Sequence, residues 1–122
     1  MDWRNEILEM QDIGSEPVTV PEWGGKTFLV TGLSGEERRK LYAESMKGDE
    51  LDMDIYPFTL LVLAVKDATG QPVFRMEDRE KLRKKNGMAI QRLSVVAMRL
   101  SGLGPDDMEE AEKNSDSVTP KE

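Results

Sequence analysis

The sequence predicts a mainly α fold: a small helical domain with a β-hairpin near its N-terminus and a disordered, acidic C-terminal tail. Three observations carry that expectation. Ser34 and Glu37 stand in the S-x-x-E spacing of a helix-starting capping box. Ile90, Leu93, Ala97 and Leu100 recur at helical spacing, with Val96 and Leu103 widening the stripe. Two short β-prone runs flank a cluster of turn formers, Pro21-Glu22-Trp23-Gly24-Gly25.

Taken in order, the first element is a short amphipathic helix over 2–10. Trp3, Ile7 and Met10 fall on one face beside Leu8, and "DIGSEP" breaks the pattern. So small an apolar face is not stable alone, so the helix should dock, either on this domain, the preferred reading, or on a neighbouring subunit.

The hairpin, at about 18–31, pairs Val18-Thr19-Val20 with Thr27–Thr31. Its turn contains Gly25-Lys26-Thr27, the tail of a phosphate loop, G-x-x-x-x-G-K-[ST]. Val20 occupies the place of the first glycine, and a strand follows where that motif needs a helix N-terminus. A turn, not a phosphate cradle, accounts for the residues.

The capping box opens a helix over 35–47, with Glu36 and Glu37 in its first turn, Lys47 in its last and Gly48 as its stop. The run "IYPFTLLVLAVKD" is ambiguous, because periodicity does not separate a buried strand from a buried helix. Its length over 55–65, Asp52 and Asp54 as caps, and Pro57 in a first turn favour a helix. The competing reading is a strand paired with "PVF" through the turn "DATGQ". "MEDREKLRKKNG" then reads as a polar helix with Met76 and Leu82 turned inward, closed by Asn86-Gly87. The last helix spans about 88–102. The domain is expected over 1–103, and 104–122 lacks periodicity and is acidic, as in segments whose burial does not offset their ordering entropy.

Composition narrows the chemistry. With 122 residues, one domain with a modest core is expected. The chain has no cysteine and no histidine, which removes disulfides, thiolate sites and the commonest general base. An enzyme would depend on carboxylates, lysine, serine or tyrosine; no catalytic residue, cofactor or metal is expected. Asp52-x-Asp54 and Asp67-x-x-Gly70 lack the array of an EF-hand and read as caps and turns. No run is long enough to span a membrane, and the acidic N-terminus is unlike a signal peptide, so no membrane association and a cytoplasmic location are expected.

A net charge of -7 opposes nucleic acid. Arg79, Lys81, Arg83, Lys84, Lys85 and Arg92 form a basic cluster, but Glu77, Asp78 and Glu80 neutralise it and no stacking aromatics are interleaved. A small regulatory nucleic-acid binder using residues 79–92 is the alternative reading. The eight methionines, scattered over several elements, fit core filling and also surfaces that adapt to varied partners.

The order of the pieces "VTVPEWGGKTFLVTGLSGEER", "VKDATGQPVF", "MEDREKLRKKNGMAIQRLSVVAMRLSGL" and "EEAEKNS" resembles the tail assembly chaperones of long-tailed bacteriophages, the group typified by the lambda tail assembly protein G. The resemblance runs from the first helix to Ser115; "DSVTPKE" has no counterpart. It implies a mainly helical domain with a small hairpin, resolves the apolar run as helix, and implies no catalysis. It further implies binding and solubilising of the tape measure protein, recruitment of the tail tube protein (in many members through a frameshifted longer form), and absence from the mature virion. Coating a long partner needs many copies. Trp3, Ile7 and Trp23 are candidate contacts for that partner or for a homo-oligomer, although packing within one subunit accounts for them equally well. Asp106, Asp107, Glu109, Glu110 and Glu112 in the tail are candidates for solubility or a second contact.

Overall fold

Gly24 and Gly25 both adopt left-handed backbone, with φ of 73° and 71°, which side chains with a Cβ rarely tolerate. They follow a 3-10 turn at Pro21–Trp23 and reverse the chain between strand β1 (Ser15–Val20) and strand β2 (Lys26–Thr31). The strands pair antiparallel with Val18 opposite Phe28 and Val20 opposite Lys26. The expected hairpin is present, and longer on its β1 side than its β-prone residues indicated. The computed structural model describes residues 2–103. The expected tail over 104–122, including Asp106, Asp107, Glu109, Glu110 and Glu112, lies outside the described residues.

Helix α1 (Trp3–Leu8) precedes the hairpin. Its N-cap is Asp2, whose side chain accepts from the Asn5 amide, and none of its residues is buried. Docking on its own domain, the preferred sequence expectation, is therefore wrong: six residues cannot bring their apolar side to the core while the chain from Gln11 to Gly14 leads away into β1.

Helix α2 (Gly35–Ala43) carries the full capping box: the Glu37 amide donates to Ser34 Oγ at 3.1 Å, and the Ser34 amide to Glu37 Oε1 at 2.9 Å. It stops earlier than expected. The chain turns at Glu44–Ser45 into strand β3 (Met46–Lys47), which pairs with strand β4 (Glu50–Leu51). Gly48, φ 66°, is the corner of this second hairpin and not a helix stop.

Helix α3 (Tyr56–Ala64) has Pro57 in its first turn. Asp52 does not cap it with a side chain: its Oδ1 accepts from the Asp54 amide, while its carbonyl accepts from Tyr56. At Val65 the backbone becomes extended, and strand β5 (Val65–Lys66) pairs with β2 through Val30 opposite Val65 and Leu29 opposite Lys66. Lys66 also bridges Pro72 across the Asp67–Gln71 turn. The helix and the strand-with-turn readings of this run are both realised, one after the other.

A 3-10 turn at Met76–Asp78 leads into the four-residue helix α4 (Arg79–Leu82), shorter than the polar helix expected there. Asn86 does not end it. Its side chain accepts from the Met88 and Ala89 amides and so starts helix α5 (Gly87–Leu100).

The expectation of a mainly α fold is thereby corrected: the described residues are 47% helix and 19% strand with two sheets, a mixed α/β architecture. One sheet has three strands in the order β1-β2-β5, and the other is the β3-β4 pair. Strands of two residues have no alternation to detect, and they form because a neighbouring backbone needs partners, a demand that local sequence does not encode. α5 packs on β1 and β2, α3 on α5, and α2 on α3. Val20, Phe28 and Val30 of the sheet meet Leu60, Leu61, Leu93 and Ala97 of the helices in one buried cluster. Burying each such aliphatic side chain stabilises the fold by roughly 1.5–3 kcal/mol.

Candidate partner-binding site

Aromatic residues are scarce in this chain, and the fold gathers three of them. Pro21 starts the 3-10 turn that sets Trp23 beside β2. Strand alternation puts Phe28 on the same face as Val30, and the return of the chain at Lys66–Pro72 brings Phe74 over. Trp23 packs edge-on against Phe28, centroids 5.9 Å apart at 86°, and against Phe74 at 6.2 Å and 75°. Together with Val73 and Leu82 they line an open apolar groove of about 370 Å³, with Lys26 and Lys85 at its walls.

The turn that delivers Phe74 is gathered around one carboxylate oxygen. Asp67 Oδ1 accepts from the Thr69 hydroxyl at 2.6 Å, the Thr69 amide at 2.9 Å and the Gln71 amide at 3.0 Å. The Thr69 hydroxyl, then the Gln71 amide, hold its carboxyl below the usual aspartate range. Next to Trp23 in the chain, Glu22 is held by Arg92, which donates from Nε and Nη2 at 2.9 and 3.0 Å. That hydrogen bonding lowers the Glu22 carboxyl and raises the Arg92 guanidinium. The pair fixes the hairpin turn to α5.

A second groove, about 480 Å³, lies behind Phe74 and is walled by Val62, Leu63, Met76, Glu36, Lys40 and Arg75. Within it Lys66 donates to the Leu63 carbonyl at 2.7 Å and sits 3.7 Å from Glu37.

Of the residues singled out from sequence, Trp23 is half-buried in the aromatic groove, whereas Trp3 and Ile7 remain 72% and 57% exposed on α1. The fold does not bring them to Trp23 within one chain, since the aromatic partners of Trp23 are Phe28 and Phe74. Phe28, Val73 and Phe74 were not anticipated, and Lys26 and Lys85 were singled out only for the phosphate-loop and basic-cluster readings. Alternation along β2 signals Phe28, but nothing local signals that Phe74 returns to it. Met46, Met53 and Met88 are exposed, while Met76 and Met98 pack against the core.

The three arginines of the basic cluster are engaged within the chain. Arg79 donates to the Glu44 carbonyl at 2.8 Å, to Thr59 Oγ1 at 3.0 Å and to the Met76 carbonyl at 3.0 Å, so it pins α4 to α2 and α3. Arg83 pairs with Glu80 and Arg92 with Glu22. Among the described residues, no group of acidic side chains could hold a metal ion, and no helix is long and apolar enough to cross a membrane.

The model of one protein family, phage tail assembly chaperone, matches residues 4–114. The chain belongs to that family. Its fold is also similar to the structure of the bacteriophage HK97 tail assembly chaperone, with a TM-score of 0.58 and 26% identity over 82% of this chain and 95% of that one. No curated protein sequence matches. The described surface of this family member carries apolar features of two kinds: exposed side chains on α1 and an aromatic groove.

Proposed function

We propose that this tail assembly chaperone binds the tape measure protein, keeps it soluble, and helps bring tail tube subunits to it, acting in the cytoplasm of the bacterial host and leaving before the virion is complete. The observation that carries the proposal is the family match over 4–114. It is supported by apolar contact surface set in a chain of net charge -7. A tape measure exposes apolar helical faces until a tube encloses it. A domain that covers such a face and turns charge outward replaces an aggregation-prone patch with a solvated one. Neither a cofactor nor a catalytic group enters this role.

Engagement of Arg79, Arg83 and Arg92 by protein partners weighs against the nucleic-acid reading. The deciding experiment expresses the tape measure protein encoded beside this gene with and without the chain. A rise in its soluble yield and co-elution with several copies of the chain is expected. An insoluble tape measure and no association would refute the proposal.

A further inference from the structure

Between Ser45 and Tyr56 the chain leaves the body of the domain and returns as the β3–β4 hairpin. Its base is held on both sides. The Asp52 amide donates to the Ser45 carbonyl at 2.7 Å, Arg79 to the Glu44 carbonyl at 2.8 Å, and the Tyr56 amide to the Asp52 carbonyl at 2.9 Å. Ser45 and Tyr56 are buried, whereas no residue over 46–54 is. Three of those exposed residues are large and apolar. Met46 stands opposite Leu51, which puts both on one face of the hairpin. The ladder continues through Asp52 and Ser45, so Met53, two positions after Leu51, extends that face. None of the three belongs to the core cluster or packs against it. A two-stranded hairpin this short gains little from its own pairing, so the face contributes little to the fold.

The charge around the face selects its occupant. Asp49, Glu50, Asp52 and Asp54 are interleaved with the apolar residues, against Lys47 alone, and none of these acids forms an ion pair among the described residues. An acidic rim around an apolar centre complements an apolar surface flanked by lysine or arginine. Strands of two residues offer too short an edge for an added strand, which leaves side-chain contact with the face. A helix makes such contact with apolar residues one turn apart. Its flanking lysines or arginines can lay their methylene stems over the methionines while their charged ends reach the carboxylates. Unbranched methionine adapts to helices of differing sequence.

We propose that the Met46–Leu51–Met53 face of the β3–β4 hairpin docks the apolar side of a basic amphipathic helix from a partner protein. That this partner is a helical segment of the tape measure rests on the function proposed above; the surface, and the charge of the helix it takes, do not.

The test uses the full-length chain and two synthetic peptides of about five helical turns with the same leucine stripe, one flanked by lysine and one by glutamate. Fluorescence anisotropy should show the leucine–lysine peptide binding, more weakly in high salt, and its glutamate counterpart binding at least about tenfold more weakly. Met46→Thr with Met53→Thr should raise the dissociation constant by about tenfold or more, as loss of a central contact does. Asp49→Asn with Glu50→Gln should raise it about three- to tenfold. Glu36→Gln with Glu77→Gln removes the same charge from exposed acids elsewhere and should leave it unchanged. The melting temperature should hold in all three variants, because every altered side chain is exposed; if the methionine pair does unfold the protein, the two charge pairs still decide. Equal affinity for both peptides, hairpin variants that bind like the wild type, or a control pair that weakens binding as much as the hairpin acids overturns the proposal. The same variants are then co-expressed with the tape measure encoded beside this gene. Hairpin variants that keep it as soluble as the wild type does sink this surface and leave the chaperoning reading standing. A wild-type chain that binds the leucine–lysine peptide through the hairpin without solubilising the tape measure keeps the surface and sinks only that reading.

Discussion

Two glycines near the hairpin's open end show how much one methyl group can matter. A Cβ built on Gly32 would lie 2.7 Å from the Leu100 carbonyl oxygen, a backbone atom that cannot step aside. Gly32→Ala should therefore push α5 off the sheet edge and destabilise the fold by about 1–3 kcal/mol. At Gly14 the corresponding Cβ meets a Leu100 methyl at 3.5 Å, ordinary contact. Gly14→Ala should change stability by less than about 0.5 kcal/mol. Urea unfolding of both variants makes the comparison; equal losses would show that the close approach at Gly32 is not what holds α5. Neither glycine announces its role in the sequence, because the neighbour it meets is far along the chain.

At the scale of elements, what was legible in the sequence was what local hydrogen bonding and periodicity control. The Ser34–Glu37 capping box forms as spaced, and α5 buries Leu93 and Ala97 as its stripe requires. Ser34→Ala should cost about 1 kcal/mol by leaving the Glu37 amide without its partner. Ser34→Asp should restore most of that, and thermal melting distinguishes the two; equal melting of all three proteins would mean that tertiary packing alone starts α2. The elements that were misread end where a tertiary demand takes over. α2 gives way to β3 at Met46, α3 to β5 at Val65, and Asn86 starts a helix where it looked like a stop, because α5 lies ready to receive the chain. The groove was hidden for the same reason: Trp23, Phe28 and Phe74 are ordinary apolar residues until three separate turns bring them together.

For the whole molecule, acidification acts through carboxylates that the fold holds in their charged form. Glu22 and Asp67 are both lowered from ordinary values of 4.5 and 3.8, Glu22 by Arg92 and Asp67 by Thr69. A group depressed in the folded state contributes stability that is present above its unfolded value and is lost as pH falls through its folded one. Melting temperature should accordingly fall between about pH 5 and pH 2, and Glu22→Gln should flatten that fall. A variant whose pH profile matches the wild type would show that the Arg92 contact is not formed in solution. The contact joins the hairpin turn to α5, so its loss should also loosen the Trp23 wall of the groove, visible as a change in tryptophan emission.

By itself the sequence determined the hairpin turn, the capped start of α2, the amphipathic face of α5, the exclusion of histidine and cysteine chemistry, and the family, since each rests on residue identity at short spacing or on the order of motifs. Only the tertiary structure decided that the fold is mixed α/β, that α1 stays off the core, and that an aromatic groove opens between Lys26 and Lys85. Those features depend on contacts between residues far apart in the chain, where the partner of a backbone edge or an apolar face is set by what else has already packed.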